Sequence, residues 1–161
     1  MRFIKYLVFG LLFFYLQILL APKFVIGSVA PFFMLGFIIF AAFNLNLIES
    51  ASISFILGIA LDLLNPYLLG VHSVLFLILT FIINNYHTMI KKDKPVPLLV
   101  SIVLINLMYL FPLLMFKLLV FGYDSLWLKI AFPELIYNSV VTTVILTIMI
   151  VGQKIRLVIS D

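Results

Sequence analysis

The chain has 161 residues, of which 66% are hydrophobic and only 10% charged, with a formal net charge of +4. A soluble domain carries about 25% charge, and this composition leaves too little polar surface to cover an apolar core in water. Cysteine is absent, which excludes disulfides, thiolate metal sites and thiol nucleophiles.

A spanning helix takes about 20 mostly apolar residues, and six such segments can be read in order. The first runs from Phe3 to Ala21 behind Arg2 and Lys5. Its end, Leu19-Leu20-Ala21-Pro22-Lys23, lacks a small-x-small cleavage pattern, so a retained anchor is expected rather than a signal peptide. After a break at Pro22–Gly27, the second runs from Ser28 to Leu45 and the third from Leu47 to Leu64. Asn65-Pro66 ends the third, because proline disfavours the helical conformation in the residue before it. The fourth is expected from Leu69 to Ile90, followed by a Lys91-Lys92-Asp93-Lys94-Pro95 loop. The fifth spans 96–118. Residues 122–132, with Tyr123, Asp124, Trp127 and Lys129, read as an interfacial connection. Pro133 and Glu134 suit the first turn of a sixth helix, 134–151, where a missing N–H costs nothing and a carboxylate meets the positive end of the dipole.

The predicted fold is therefore all-α: a polytopic membrane bundle forming one integral membrane domain over residues 1–161. With both termini cytoplasmic, Arg2, Lys5, Lys91, Lys92, Lys94, Lys154 and Arg156 lie inside, and Lys23, Lys117 and Lys129 outside. Seven of ten basic residues on one side satisfy the positive-inside rule, and six spans supply the even number this needs. The basic residues form no stripe with interleaved aromatics, so no nucleic-acid partner is expected. No internal repeat is visible.

Polar residues inside the spans supply the candidate sites. Ser50, Ser54, Gly58 and Asp62 recur at a spacing of four, one face of the third helix, where small residues let another helix approach and hydroxyls bond across the contact. Ser73, Thr80, Asn84 and His87 share a face of the fourth, and Ser139, Thr143 and Thr147, beside Asn138 and Thr142, a face of the sixth. Asp62 lies near the end of its helix, where ionisation costs little. No second acid or histidine is evident within its reach, so it reads as a hydrogen-bond acceptor or partner contact rather than an ion relay. An asparagine there is expected to serve in part. His72 and His87, fifteen residues apart on one helix, are separated by about 22 Å and cannot share a metal. No catalytic constellation, phosphate-cradling loop, metal site or cofactor site is present in the sequence.

The stretch Val29-Ala30-Pro31-Phe32-Phe33 through Gly58, Asp62, Asn65-Pro66 and Gly70-Val71-His72-Ser73 resembles the MreD family of bacterial rod-shape-determining membrane proteins. Phe132-Pro133-Glu134-Leu135-Ile136-Tyr137-Asn138 is similar to that family's entry into its last span. The resemblance covers nearly the whole chain. It implies a non-enzymatic protein of the bacterial cytoplasmic membrane. Its implied partners are an MreC-like bitopic scaffold protein and, indirectly, an MreB-like filament, an elongation glycosyltransferase and a penicillin-binding transpeptidase, with membrane lipid around it. The complex directs lateral peptidoglycan synthesis. Pro31, Ser50, Ser54, Gly58, Asp62, Gly70 and Asn138 are then helix-packing or partner-contact residues. The alternative is the substrate-binding membrane subunit of an energy-coupling-factor vitamin transporter, similar in size and span number. Here the first helix offers Gly10 and Gln17 but no alanine pair at spacing four, and the outer loops are poor in polar groups.

Overall fold

The computed structural model describes residues 2–86, 95–122 and 125–160, with side chains over 2–86, 96–122 and 129–153. The Lys91–Lys94 loop, His87, Tyr123 and Asp124 lie outside the described residues, as does the side chain of Trp127. Six helices follow in order: α1 (Arg2–Leu20), α2 (Phe33–Asn44), α3 (Leu47–Leu64), α4 (Val71–Tyr86), α5 (Pro95–Phe121) and α6 (Ser125–Ser160). Short 3-10 turns at Ala21–Phe24 and Pro66–Leu68 follow α1 and α3.

The molecule is apolar outside and partly polar inside. Ile4, Val8, Leu12, Ile48, Leu63, Phe81, Leu119 and Phe132 are exposed, whereas Ser50, Ser54, Asp62, Thr80, Asn106, Asn138 and Thr142 are buried. Such an arrangement is unfavourable in water and natural in lipid, where polar groups turn inward to find partners. Among the described residues four helical stretches, Arg2–Phe24, Leu47–Leu64, Val96–Phe121 and Lys129–Gln153, are long and apolar enough to cross a bilayer.

Among the described residues, α4 and α2 fall below that length, and α2 is the shorter. It starts at Phe33, five residues later than the sequence predicts, and has 12 residues. The delay has a local cause. Gly27 (φ +56°) and Ser28 (φ +73°) make a tight turn, closed by paired hydrogen bonds between Ile26 and Val29, and Pro31 then keeps Ala30 extended. At about 18 Å, α2 falls well short of a 30 Å hydrocarbon core. Other helices rather than lipid surround it, because Met34 through Phe43 are all buried, so a short helix suffices in that layer of the bundle. It packs against α1, α3, α4 and α6, while α5 closes the bundle against α4 and α6. Nearly continuous hydrophobicity suits a helix surrounded by other helices.

Pro133 also departs from expectation. It is inside α6 rather than in its first turn, because the helix already begins at Ser125. A proline there removes one intrahelical bond and crowds the carbonyl four residues back. Glu134 is therefore not at a helix N-terminus, and its carboxylate needs another account.

Candidate functional site

The sequence motif around Asp62 folds into a helical hairpin. Asn65, extended ahead of Pro66, stops α3, and Gly70 at φ +89° turns the chain back into α4. Only glycine takes such a φ without strain. The hairpin lays the first turn of α4 against the last turns of α3. The opening amides of a helix have no intrahelical acceptor, and here Asp62 supplies one. Its Oδ1 accepts from the His72 amide at 3.0 Å and from His72 Nδ1 at 2.7 Å. Its Oδ2 accepts from the Ser73 amide at 3.1 Å and the Ser73 hydroxyl at 2.6 Å. An ionised carboxylate only accepts, so His72 Nδ1 carries the proton in this bond. The negative charge meets the positive end of the α4 dipole. Asp62 is 2% exposed, and both of its oxygens are engaged.

This corrects the sequence reading in which no histidine stood within reach of Asp62. Ten residues of chain separate it from His72, and only the turn at Gly70 brings them together. The arrangement also explains Gly58. A Cβ at that position would lie 2.4 Å from Ser73 Cα and 2.7 Å from Ser73 N, so the backbone of α4 rests directly on the glycine. Gly58 sets the closeness of the two helices, and Asp62 caps what that closeness delivers.

The seam continues one turn earlier. The Ser54 and Thr80 hydroxyls are 2.7 Å apart in a buried contact between α3 and α4. Ser50 departs from the predicted pattern: its hydroxyl bonds back to the Asn46 and Leu47 carbonyls of its own segment. A back-bonded serine fills the interface without linking it. On α6, Thr143 and Thr147 do the same, donating to Ser139 and Thr143 carbonyls.

A second polar node holds the start of α2. Gln17 of α1 accepts from the Phe33 amide at 2.7 Å and donates to the Pro31 carbonyl at 3.0 Å. Asn138 of α6 accepts from the Phe32 amide at 3.0 Å. At the other end, Asn84 of α4 donates to the Ala42 and Leu45 carbonyls. Lipid offers no hydrogen-bonding partner for a helix end, so these amides do so instead. The sequence reading marked Pro31 and Asn138 but gave Gln17 no such role. Its signal was present: it is the one amide side chain in the 19-residue helix, well past Arg2 and Lys5 at its start. Nearby, the Tyr137 hydroxyl donates to the Phe24 carbonyl.

Beside this node lies a cavity of about 280 Å³, bordered by the Ser28–Phe32 segment, His72, Tyr109, Lys117 and Glu134. Phe32 and Tyr109 stack at 5.0 Å along its wall. Among the described residues no three His, Asp or Glu side chains converge as a metal site would require.

Fold and site together define an integral membrane helical bundle whose buried polar groups cap and join its own helices. The family model for rod shape-determining protein MreD matches residues 1–152. The chain belongs to the MreD family, and is thus a membrane component of rod-shape determination. No curated protein and no solved structure matches it. The transporter-subunit alternative gains no support from these comparisons.

Proposed function

We propose that this chain is a non-enzymatic scaffold of the elongation machinery, crossing the bacterial cytoplasmic membrane six times with both termini inside. In this reading it works beside an MreC-like bitopic protein and, through it, an MreB-like filament, a glycosyltransferase and a penicillin-binding transpeptidase, to direct lateral peptidoglycan synthesis. The observation that carries the proposal is the family match over almost the full chain. The geometry adds physical support. Asp62, the carboxylate most deeply placed among the described acids, has both oxygens occupied by the α4 cap, which suits a structural role.

The test is complementation in a rod-shaped host depleted of its own family member, with partner capture measured in parallel. The parent chain should restore rod shape and co-purify with the MreC-like protein. Failure of both, with normal accumulation in the membrane, would refute the proposal. A vitamin co-purifying in place of that protein would establish the transporter reading.

A further inference from the structure

At the end of the bundle that holds the N-terminus, a groove of about 490 Å³ opens between α1 and α6. It follows from the packing: α1 rests on α2 and α3, and α6 rests on α2 and α5, so the two helices flank α2. Phe9 and Phe13 of α1 form one wall, Ile148 and Gly152 of α6 the other, and Phe40 of α2 lies between them. The Phe9 and Phe13 rings stand 5.6 Å apart along their wall. A Cβ added at Gly152 would meet no atom within 4 Å, so α6 presents open space there.

Length narrows the occupant. From Lys5 to Phe13 the groove follows eight residues of α1, about 12 Å along the axis. One leaflet's share of the hydrocarbon core is about 15 Å. A second transmembrane helix would need a face along the whole core, whereas an acyl chain needs one leaflet.

Charge narrows it further. Lys5 borders the groove, three residues into α1 and exposed, where its stem can lie along the apolar wall and its ammonium reach the headgroup level. It makes no ion pair or hydrogen bond with a described residue, and no acid lines the groove. Across from it, the Gln153 amide already donates to Asn44 Oδ1. Lipid tails are as apolar as these walls, so the slot alone confers little preference. The ammonium supplies it, by favouring a headgroup of net negative charge.

We propose that this groove binds an anionic glycerophospholipid, one acyl chain lying along Phe9 and Phe13 and the phosphate on Lys5. The site is independent of the scaffold role and needs only that α1 and α6 cross the bilayer.

The experiment uses the purified full chain in nanodiscs of phosphatidylglycerol and phosphatidylcholine with matched acyl chains, with retained lipid counted by native mass spectrometry. Phosphatidylglycerol should be retained over phosphatidylcholine by about fivefold, the effect of one lysine at a membrane surface. Lys5→Gln should abolish that preference, and Lys23→Gln, at the other end of α1, should leave it intact. Gly152→Leu fills the groove without touching the charge, and should lower phosphatidylglycerol retention while the protein unfolds near the parent temperature. If Gly152→Leu proves unstable, Ile148→Trp narrows the groove from an exposed position and should act in the same direction. Equal retention of the two lipids by the parent, or full phosphatidylglycerol retention in the folded groove-filling variant, would overturn the assignment. A dimer, or a captured bitopic partner, lost in that variant while lipid retention holds would give the groove to that protein and overturn it equally.

Discussion

Gly58→Ala tests the α3–α4 hairpin with a single methyl group. The new Cβ would sit 2.4 Å from Ser73 Cα, and ordinary contact begins near 3.4 Å, so α4 must retreat by about 1 Å. The obstacle is backbone, so no side-chain rotation relieves it. The same retreat stretches the Ser73 amide bond to Asp62 from 3.1 Å to about 4 Å, beyond hydrogen-bonding range. Overpacking costs about 1–3 kcal/mol. Weakening one or two bonds to a charged acceptor adds about 1.5–3 kcal/mol each. A total of about 2.5–9 kcal/mol is expected, large against the 5–15 kcal/mol that usually holds a domain. The assay is unfolding of the purified protein in mixed micelles, with Ile56→Leu, a volume-conserving change on the exposed side of α3, as control. A Gly58→Ala protein within about 1 kcal/mol of the parent would refute the backbone-contact argument.

Asp62→Asn should be nearly as damaging as Asp62→Leu. One amide oxygen replaces two acceptors, and the new NH2 faces the Ser73 donors, leaving buried N–H and O–H groups unsatisfied at about 1–3 kcal/mol each. Thermal unfolding in detergent reads this, and a near-parent Asn variant would show the cap to be dispensable. Gln17→Leu should destabilise more than Asn138→Leu, since it strands both the Phe33 amide and the Pro31 carbonyl; the reverse order in the same assay would be inconsistent with the α2 cap. In intact cells, a cysteine at 93 should resist an impermeant thiol reagent and one at 124 should react. Labelling at 93 from outside would break the six-span arrangement.

The sequence carried the helices where periodicity and punctuation agree. Asn65-Pro66 closes α3 at Leu64, as read, because local sterics disfavour helical geometry in the residue before a proline. The spacing of Ser54, Gly58 and Asp62 likewise announced one helix face. What lay beyond reach was the partner of each group. Asp62 and His72 meet only because the chain reverses at Gly70, and the meeting depends on three-dimensional closeness that no spacing rule encodes. The start of α2 was missed for a related reason: Val29 to Phe33 is apolar enough to continue a helix backwards. The turn at Gly27-Ser28, which hydropathy does not see, prevents it. Glu134 was assigned to a helix start by its neighbour Pro133, a local rule that failed because Ser125–Phe132 is itself helical.

The short, enclosed α2 has a bearing on how the chain is made. Its leading amides are held by Gln17 from α1 and Asn138 from α6, and its trailing carbonyls by Asn84 from α4. The segment is synthesised second, yet its last cap arrives only with the final helix, more than a hundred residues later. Until then a 12-residue helix with an incomplete N-terminal cap waits in the membrane, unable to span it alone. Insertion of this chain is therefore not a succession of independently stable segments. A chain stopped before Asn138 lacks the acceptor of the Phe32 amide, and completion of α6 is the step that supplies it.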